Sequence, residues 1–177
     1  MSDEPLPTSL DVRKAAARSV EISGVIRLDS LVRFSPLLAD NDGFVKAKLR
    51  FWKDEEERYL VEVSVAATVA VICQRCLQPM EETITSGNTL AIVWNDAQAV
   101  ALPKALEPLV IEDTVCNLHS VVEDELILAC KPFSYHDTPE CHSETQQFFD
   151  DDVVGEPVAE RANPFEVLAQ LKPHEKT

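Results

Sequence analysis

Cys73 and Cys76 form a C-x-x-C inside VAVICQRCLQPME, at the end of a long run in which apolar residues alternate. Two thiols at that spacing serve as a redox dithiol, as half of a zinc site, or as small hydrophobes packed side by side. A redox dithiol places its reactive cysteine at a helix N-terminus after a parallel strand. Here the preceding strand belongs to an antiparallel run, and Pro79 stands where a continuing helix needs a hydrogen-bonded N–H. A zinc site needs two further ligands, because the ion takes four in a tetrahedron. The stretch YHDTPECH offers His136, Cys141 and His142 in a loop held extended by Pro132 and Pro139. Cys141 with His136, or with His142, completes a Cys3His set. Zinc is therefore the candidate cofactor, and metal-free thiols are the open alternative.

Cys116 and Cys130 flank an apolar helical segment and read as buried small hydrophobes, and His119 as a surface or cap group. With four glycines in the chain there is no glycine-rich phosphate cradle, and neither a nucleophile elbow nor H-E-x-x-H occurs. Glu123, Asp124 and Glu125 are expected on the wet face of their helix. The residues suggest no enzyme and no small-molecule substrate.

Charge divides the chain. Between Glu112 and Glu160 there are thirteen acids and one base, Lys131, whereas the formal net charge of the whole is -15. Bases gather earlier, at Arg13, Lys14, Arg18, Arg27, Arg33, Lys46, Lys48, Arg50, Lys53 and Arg58. Such a molecule repels phosphate over most of its surface, while a local basic patch can still meet RNA and the acidic part can attract a basic protein. The start, MSDEPLPTSLD, carries no basic leader with an apolar core, and no run approaches the ~18 apolar residues of a membrane span. Five cysteines, an odd number, point to reduced thiols. The expectation is a cytoplasmic protein with no membrane contact.

The elements that must position these groups are legible from periodicity. DVRKAAARS predicts a short helix capped by Asp11, VEISGVIRL a strand, and LVRFSPLL a second helix started by Asp29 or Ser30 and limited by Pro36. In FVKAKLRFW the residues Val45, Ala47, Leu49 and Phe51 take one face, leaving Lys46, Lys48, Arg50 and Trp52 on the other as a candidate contact for an RNA backbone or partner. Val61, Val63, Val65, Ala67, Val69, Val71 and Cys73 make an unbroken apolar stripe. A flat strand of that length would span about 43 Å, so bending toward a small barrel is expected. ETITSGNTLAIVW returns as a strand or strand pair with a turn near 86–88, PLVIE as a further strand, and Asn117 caps a helix through LHSVVEDELILAC. In the tail, Asn163, Pro164 and Glu166 specify a short helix presenting Phe165, Leu168 and Leu171 for docking.

The fold class read this way is α+β: a central antiparallel β-sheet curling toward a small barrel, with flanking helices and an acidic extended C-terminal arm ending in a short helix. Residues 1–142 form a single α+β domain, 143–162 an acidic flexible linker and 163–177 a helical tail.

Taken in order, LPTSLDVRKAAARSVEISG, CQRC, ALPKALEPLVIED, SVVEDELILA, the His136-Asp137 pair with Cys141, and NPFEVLAQLK resemble the bacterial YceD proteins, the large ribosomal RNA subunit accumulation proteins. The resemblance spans nearly the whole chain. It implies a non-enzymatic factor needed for synthesis, processing or stability of large-subunit (23S) rRNA, acting in the cytoplasm on rRNA or the pre-large-subunit particle. Carried over by position, the marked residues are Cys73, Arg75, Cys76, His136 and Cys141, with Asn163, Pro164 and Phe165 in the tail. Arg75 thereby joins the strip of RNA or partner contacts. The alternative is an acidic module that holds a basic ribosomal or assembly protein without touching RNA, and a thiol oxidoreductase is the third.

Overall fold

The structure, a computed structural model, describes residues 4–137 and residue 141. The acidic linker expected at 143–162 and the docking residues Asn163, Pro164, Phe165, Leu168 and Leu171 therefore lie outside the described residues, as does His142.

Chain order is β1 (Ser9–Asp11), α1 (Val12–Ala17), β2 (Glu21–Arg27), β3 (Phe44–Lys53), β4 (Tyr59–Ile72), β5 (Pro79–Val93), α2 (Asp96–Val100), β6 (Glu107–Val110), β7 (Val115–Asn117) and α3 (Leu118–Ala129). Five strands form one sheet in the order β2-β3-β4-β5-β6, and β1 pairs with β7 in a separate ribbon. The predicted α+β class holds, but among the described residues no barrel closes. β2 and β6 are the sheet's two margins, and β2 is lined instead by Pro5 in a parallel bridge to Val25. The long β4 needs no closure because β5 matches it over fourteen consecutive pairs, Tyr59↔Ile92 to Ile72↔Pro79. No turn interrupts β5: Gly87 lies opposite Ser64 within the ladder.

β6 departs from the antiparallel expectation, running parallel to β5 with Leu90 opposite Glu107. The segment between them, containing α2, is long enough to carry the chain back to the same end of the sheet. LVRFSPLL also departs, forming 3-10 turns at Leu28–Ser30 and Ser35–Leu37 rather than a helix. Beyond the limit set by Pro36, the backbone N–H groups of Arg33 and Phe34 donate to the Glu123 carboxylate, at 2.6 and 3.0 Å. A helix would have claimed those donors for its own carbonyls.

Asp11 and Asn117 cap α1 and α3 as their sequences require, accepting from Lys14 N and Ser120 N. α1 and α3 cover the face of the sheet that carries Val45, Leu49, Phe51, Val61, Val63 and Val65, all buried with Val12, Leu118, Val122 and Leu126. Each such side chain contributes about 1.5–3 kcal/mol on burial. Helix α3 differs from its sequence reading at two acids. Glu123 and Glu125 are buried while Asp124 is exposed. Glu125 accepts from Ser86 Oγ and Asn88 Nδ2 on β5. The other sheet face bears Lys46, Lys48, Arg50, Thr68, Thr83, Thr85 and Thr89, all exposed.

Gly24 is where the N-terminal segment crosses close to β2. A Cβ there would meet Leu6 N at 2.7 Å and Glu4 O at 2.8 Å, backbone atoms that cannot swing aside. Gly24→Ala is expected to break the Leu6 N–H to Val25 O and Val25 N–H to Glu4 O bonds and cost about 1–3 kcal/mol. Amide exchange at Leu6 and Val25 checks it; unchanged protection at both would contradict the packing argument.

Candidate metal centre

β3 pairs with β4 only as far as Lys46↔Ala66, so residues Ala67 to Ile72 of β4 run on beyond β3, with β5 still beside them. On the vacated side Asp40 bridges to Ala70. The result is a hairpin arm, and its connecting turn is CQRCLQ, residues 73–78. Cys73 N–H donates to Gln78 O, and Leu77 N–H to Cys73 O, both at 3.0 Å. Leu77 adopts φ 59, a left-handed conformation costing a leucine about 1–2 kcal/mol. The tightness of the turn aims both sulfurs to one side.

The chain beyond α3 brings in the second pair of candidate donors, His136 and Cys141. The C-cap of α3, Cys130, is extended, Lys131 to Asp137 follow without regular secondary structure, and the Ser134 carbonyl accepts the Gln74 N–H at 2.9 Å. The chain thereby runs back along the C-x-x-C turn. Cys73 Sγ lies 3.4 Å from Cys141 Sγ, and Cys76 Sγ lies 3.3 Å from His136 Nδ1. The four donor atoms all fall within 4.8 Å of one another. Arms of about 2.3 Å to sulfur set the edges of a zinc tetrahedron near 3.8 Å, so the donor set fits that ion in kind, number and spacing. Of the sequence-predicted ligands the fold thus unites Cys73, Cys76, His136 and Cys141.

Cys73 is fully buried. Burial pushes its thiol up, but the backbone N–H groups of Cys76, Arg75 and His136, together with the Cys141 side chain, outweigh this and bring its pKa down to about 5. Burial and then the neighbouring Cys73 and Cys76 sulfurs push the Cys141 thiol up. One thiolate beside a protonated thiol is the arrangement a cation completes. A low pKa also belongs to redox dithiols, yet those need an accessible nucleophile, and Cys73 has no exposed surface. Burial raises the thiols of Cys116 and Cys130, which stand apart from the cluster as small apolar groups, Cys130 only partly covered.

Behind the four donors stand groups that the sequence does not mark. Glu82, on β5 opposite Val69, is 7% exposed, accepts from Ser134 Oγ at 2.5 Å and pairs with Lys131 Nζ at 2.8 Å. Burial raises its carboxyl while Lys131 and Ser134 lower it, and the lowering prevails. The available signal was parity: Glu82 shares the inward side of β5 with Ile84, where an acid is out of place.

Around the centre the Arg75 guanidinium lies 5.1 Å from the Tyr135 ring centroid, with Leu77, Phe133 and Tyr135 exposed nearby in the chain. The basic strip lies on the open face of β3. Lys48 pairs with Glu21 and Arg50 with Glu62, both at 2.9 Å, and Arg50 also stands over Trp52. Among the described residues Lys46 has no carboxylate partner. The strip is therefore largely charge-compensated, which periodicity along β3 alone did not disclose.

Residues 61–172 match the family described as YceD, large ribosomal RNA subunit accumulation protein YceD. That stretch contains all four clustered donors. A curated Haemophilus influenzae protein named large ribosomal RNA subunit accumulation protein YceD is 32% identical over 174 residues, covering 97% of this chain and 99% of that protein. No solved structure matches.

Proposed function

Because the chain belongs to the YceD family, we propose that it is a non-enzymatic factor in the accumulation of large-subunit ribosomal RNA, acting in the cytoplasm on the rRNA or on the assembling large subunit. The full-length likeness to a protein of that name carries this reading. The Cys3His centre supports a resident zinc ion in a structural role: with four protein donors a tetrahedral ion has no open position for a substrate. Cys73, Cys76, His136 and Cys141 would hold it, and it would supply a cross-link between the hairpin arm and the segment after α3. Loss of the protein from its host should lower 23S rRNA relative to 16S rRNA, and return on re-expression; an unchanged ratio rejects the function.

RNA contact is assigned to Lys46, Lys48, Arg50 and Trp52, with Arg75 beside the metal centre. Exposed ion pairs of the Lys48–Glu21 kind contribute about 0–1 kcal/mol, so exchanging a carboxylate for a phosphate there costs little. Charge reversal of Lys46, Lys48 and Arg50 should weaken association with rRNA or pre-ribosomes and flatten its salt dependence by up to about three counterions. Unchanged association rejects the RNA contact.

One observation favours a second reading, in which the protein holds a basic ribosomal or assembly protein. Glu21 and Glu62 neutralise most of the strip, whereas the chain as a whole carries -15. Affinity purification after nuclease treatment separates the two: partners retained without RNA support the protein contact, and partners lost with it support the RNA contact.

A further inference from the structure

We infer that Glu82, Lys131 and Ser134 form the positioning network that preorganises the Cys3His centre, an inference that rests on the zinc reading above. The centre draws its ligands from two stretches of chain some sixty residues apart, the Cys76–His136 contact spanning a separation of 60 and the Cys73–Cys141 contact one of 68. Joining such stretches at the moment of metal binding carries an ordering cost that falls on metal affinity. A site that is already assembled avoids it.

Glu82 does the assembling. It projects from the core-facing side of β5, and its two carboxylate oxygens are divided between two residues of the ligand-bearing segment, Oε2 to Ser134 Oγ and Oε1 to Lys131 Nζ. Ser134, itself buried, passes the constraint onward through its carbonyl, which accepts the N–H of Gln74 inside the C-x-x-C. His136 follows Ser134 by two residues, and Cys73 precedes Gln74 by one. A single carboxylate therefore ties the sheet to both halves of the ligand set without touching the donors. Stability of the fold alone would not require this arrangement. The Lys131 side chain is 69% exposed, a setting in which an ion pair stabilises a fold little, and an apolar residue at position 82 would suit its place between β-strand and core as well. What an apolar residue cannot do is orient the segment 131–136.

Partners of this kind act on metal affinity, not on ligand identity. Purified full-length protein should bind one zinc ion. Glu82→Gln and Ser134→Ala should also bind one, with affinity reduced roughly 10- to 100-fold in competition with a chromogenic chelator. Because the two residues act through each other, the double variant should be no weaker than the weaker single. Lys131→Arg, which keeps a cation within reach of Glu82, should retain wild-type affinity. Loaded with cobalt(II), all variants should show the wild-type tetrahedral absorption band, since the four donors are intact. Wild-type affinity in Glu82→Gln overturns the inference while leaving the zinc reading in place. So does a loss explained wholly by lower thermal stability of the chelator-treated protein. Failure of the wild type to take up zinc or cobalt removes both.

Discussion

Stripping the proposed zinc ion, or replacing Cys76 by serine, is expected to lower the melting temperature of the purified protein by roughly 8–16 °C. The magnitude follows from linkage: an ion present at about a thousand times its dissociation constant stabilises the folded state by about 4 kcal/mol, and each kcal/mol moves a domain of this size by about 2–4 °C. The loss should stop short of unfolding. The sheet and helices bury their own core, and a zinc ion held by the four donors would join only the hairpin tip to the segment after α3. Calorimetry with and without chelator, on protein whose metal content has been measured, checks this. A metal-loaded protein whose melting temperature ignores chelation would end the structural role. The stripped protein should also carry a pH signature. Cys73 titrates near 5 in the fold against an ordinary value of 9.0, so the stability its thiolate contributes is complete above the ordinary value. It declines as pH falls between those values and is gone below about 5. Cys141 is shifted upward and so works the opposite way at the alkaline end.

The second large effect belongs to Glu123→Ala, expected to cost about 2–6 kcal/mol, mainly from two backbone N–H groups left without an acceptor at about 1–3 kcal/mol each. Its carboxylate accepts from the backbone of Arg33 and Phe34 and from the Arg33 guanidinium, so truncation strands two buried or half-buried N–H groups. Glu123→Gln separates the contributions. It keeps an oxygen for the backbone donors and loses the ion pair with a guanidinium about half exposed, an interaction of about 1 kcal/mol or less. Urea titration of the two variants should therefore give losses differing several-fold. Equal losses would show that charge, and not backbone satisfaction, anchors 28–38 to α3.

These residues mark how far the sequence could be read. Period-two alternation identified β3 and β4 with their buried faces, because a half-buried strand cannot hide which side is apolar. Asp11 and Asn117 announced their helices because capping is local chemistry. The sequence places Glu123 and Glu125 in water, since nothing within α3 reveals that the chain at 33–34 and the side chains at 86–88 present donors to them. The same blindness predicted a helix at LVRFSPLL, whose N–H groups are claimed from ninety residues away. The barrel expectation failed for a related reason: strand length suggests bending, but pairing partners decide it, and β5 follows β4 along its whole length.

By itself the sequence confined the candidate donors to two stretches, since cysteine and histidine are the side chains that bind a soft cation and only those stretches offered them together. It determined the apolar stripes and caps for the same reason: each is a property of one residue type or of spacing within one element. Only the tertiary structure brought His136 to the three cysteines, set Lys48 and Arg50 against Glu21 and Glu62, and joined Glu82 to the segment that bears His136. Those outcomes depend on register between strands and on where α3 releases the chain, and long-range pairing of that kind leaves no local periodicity to read.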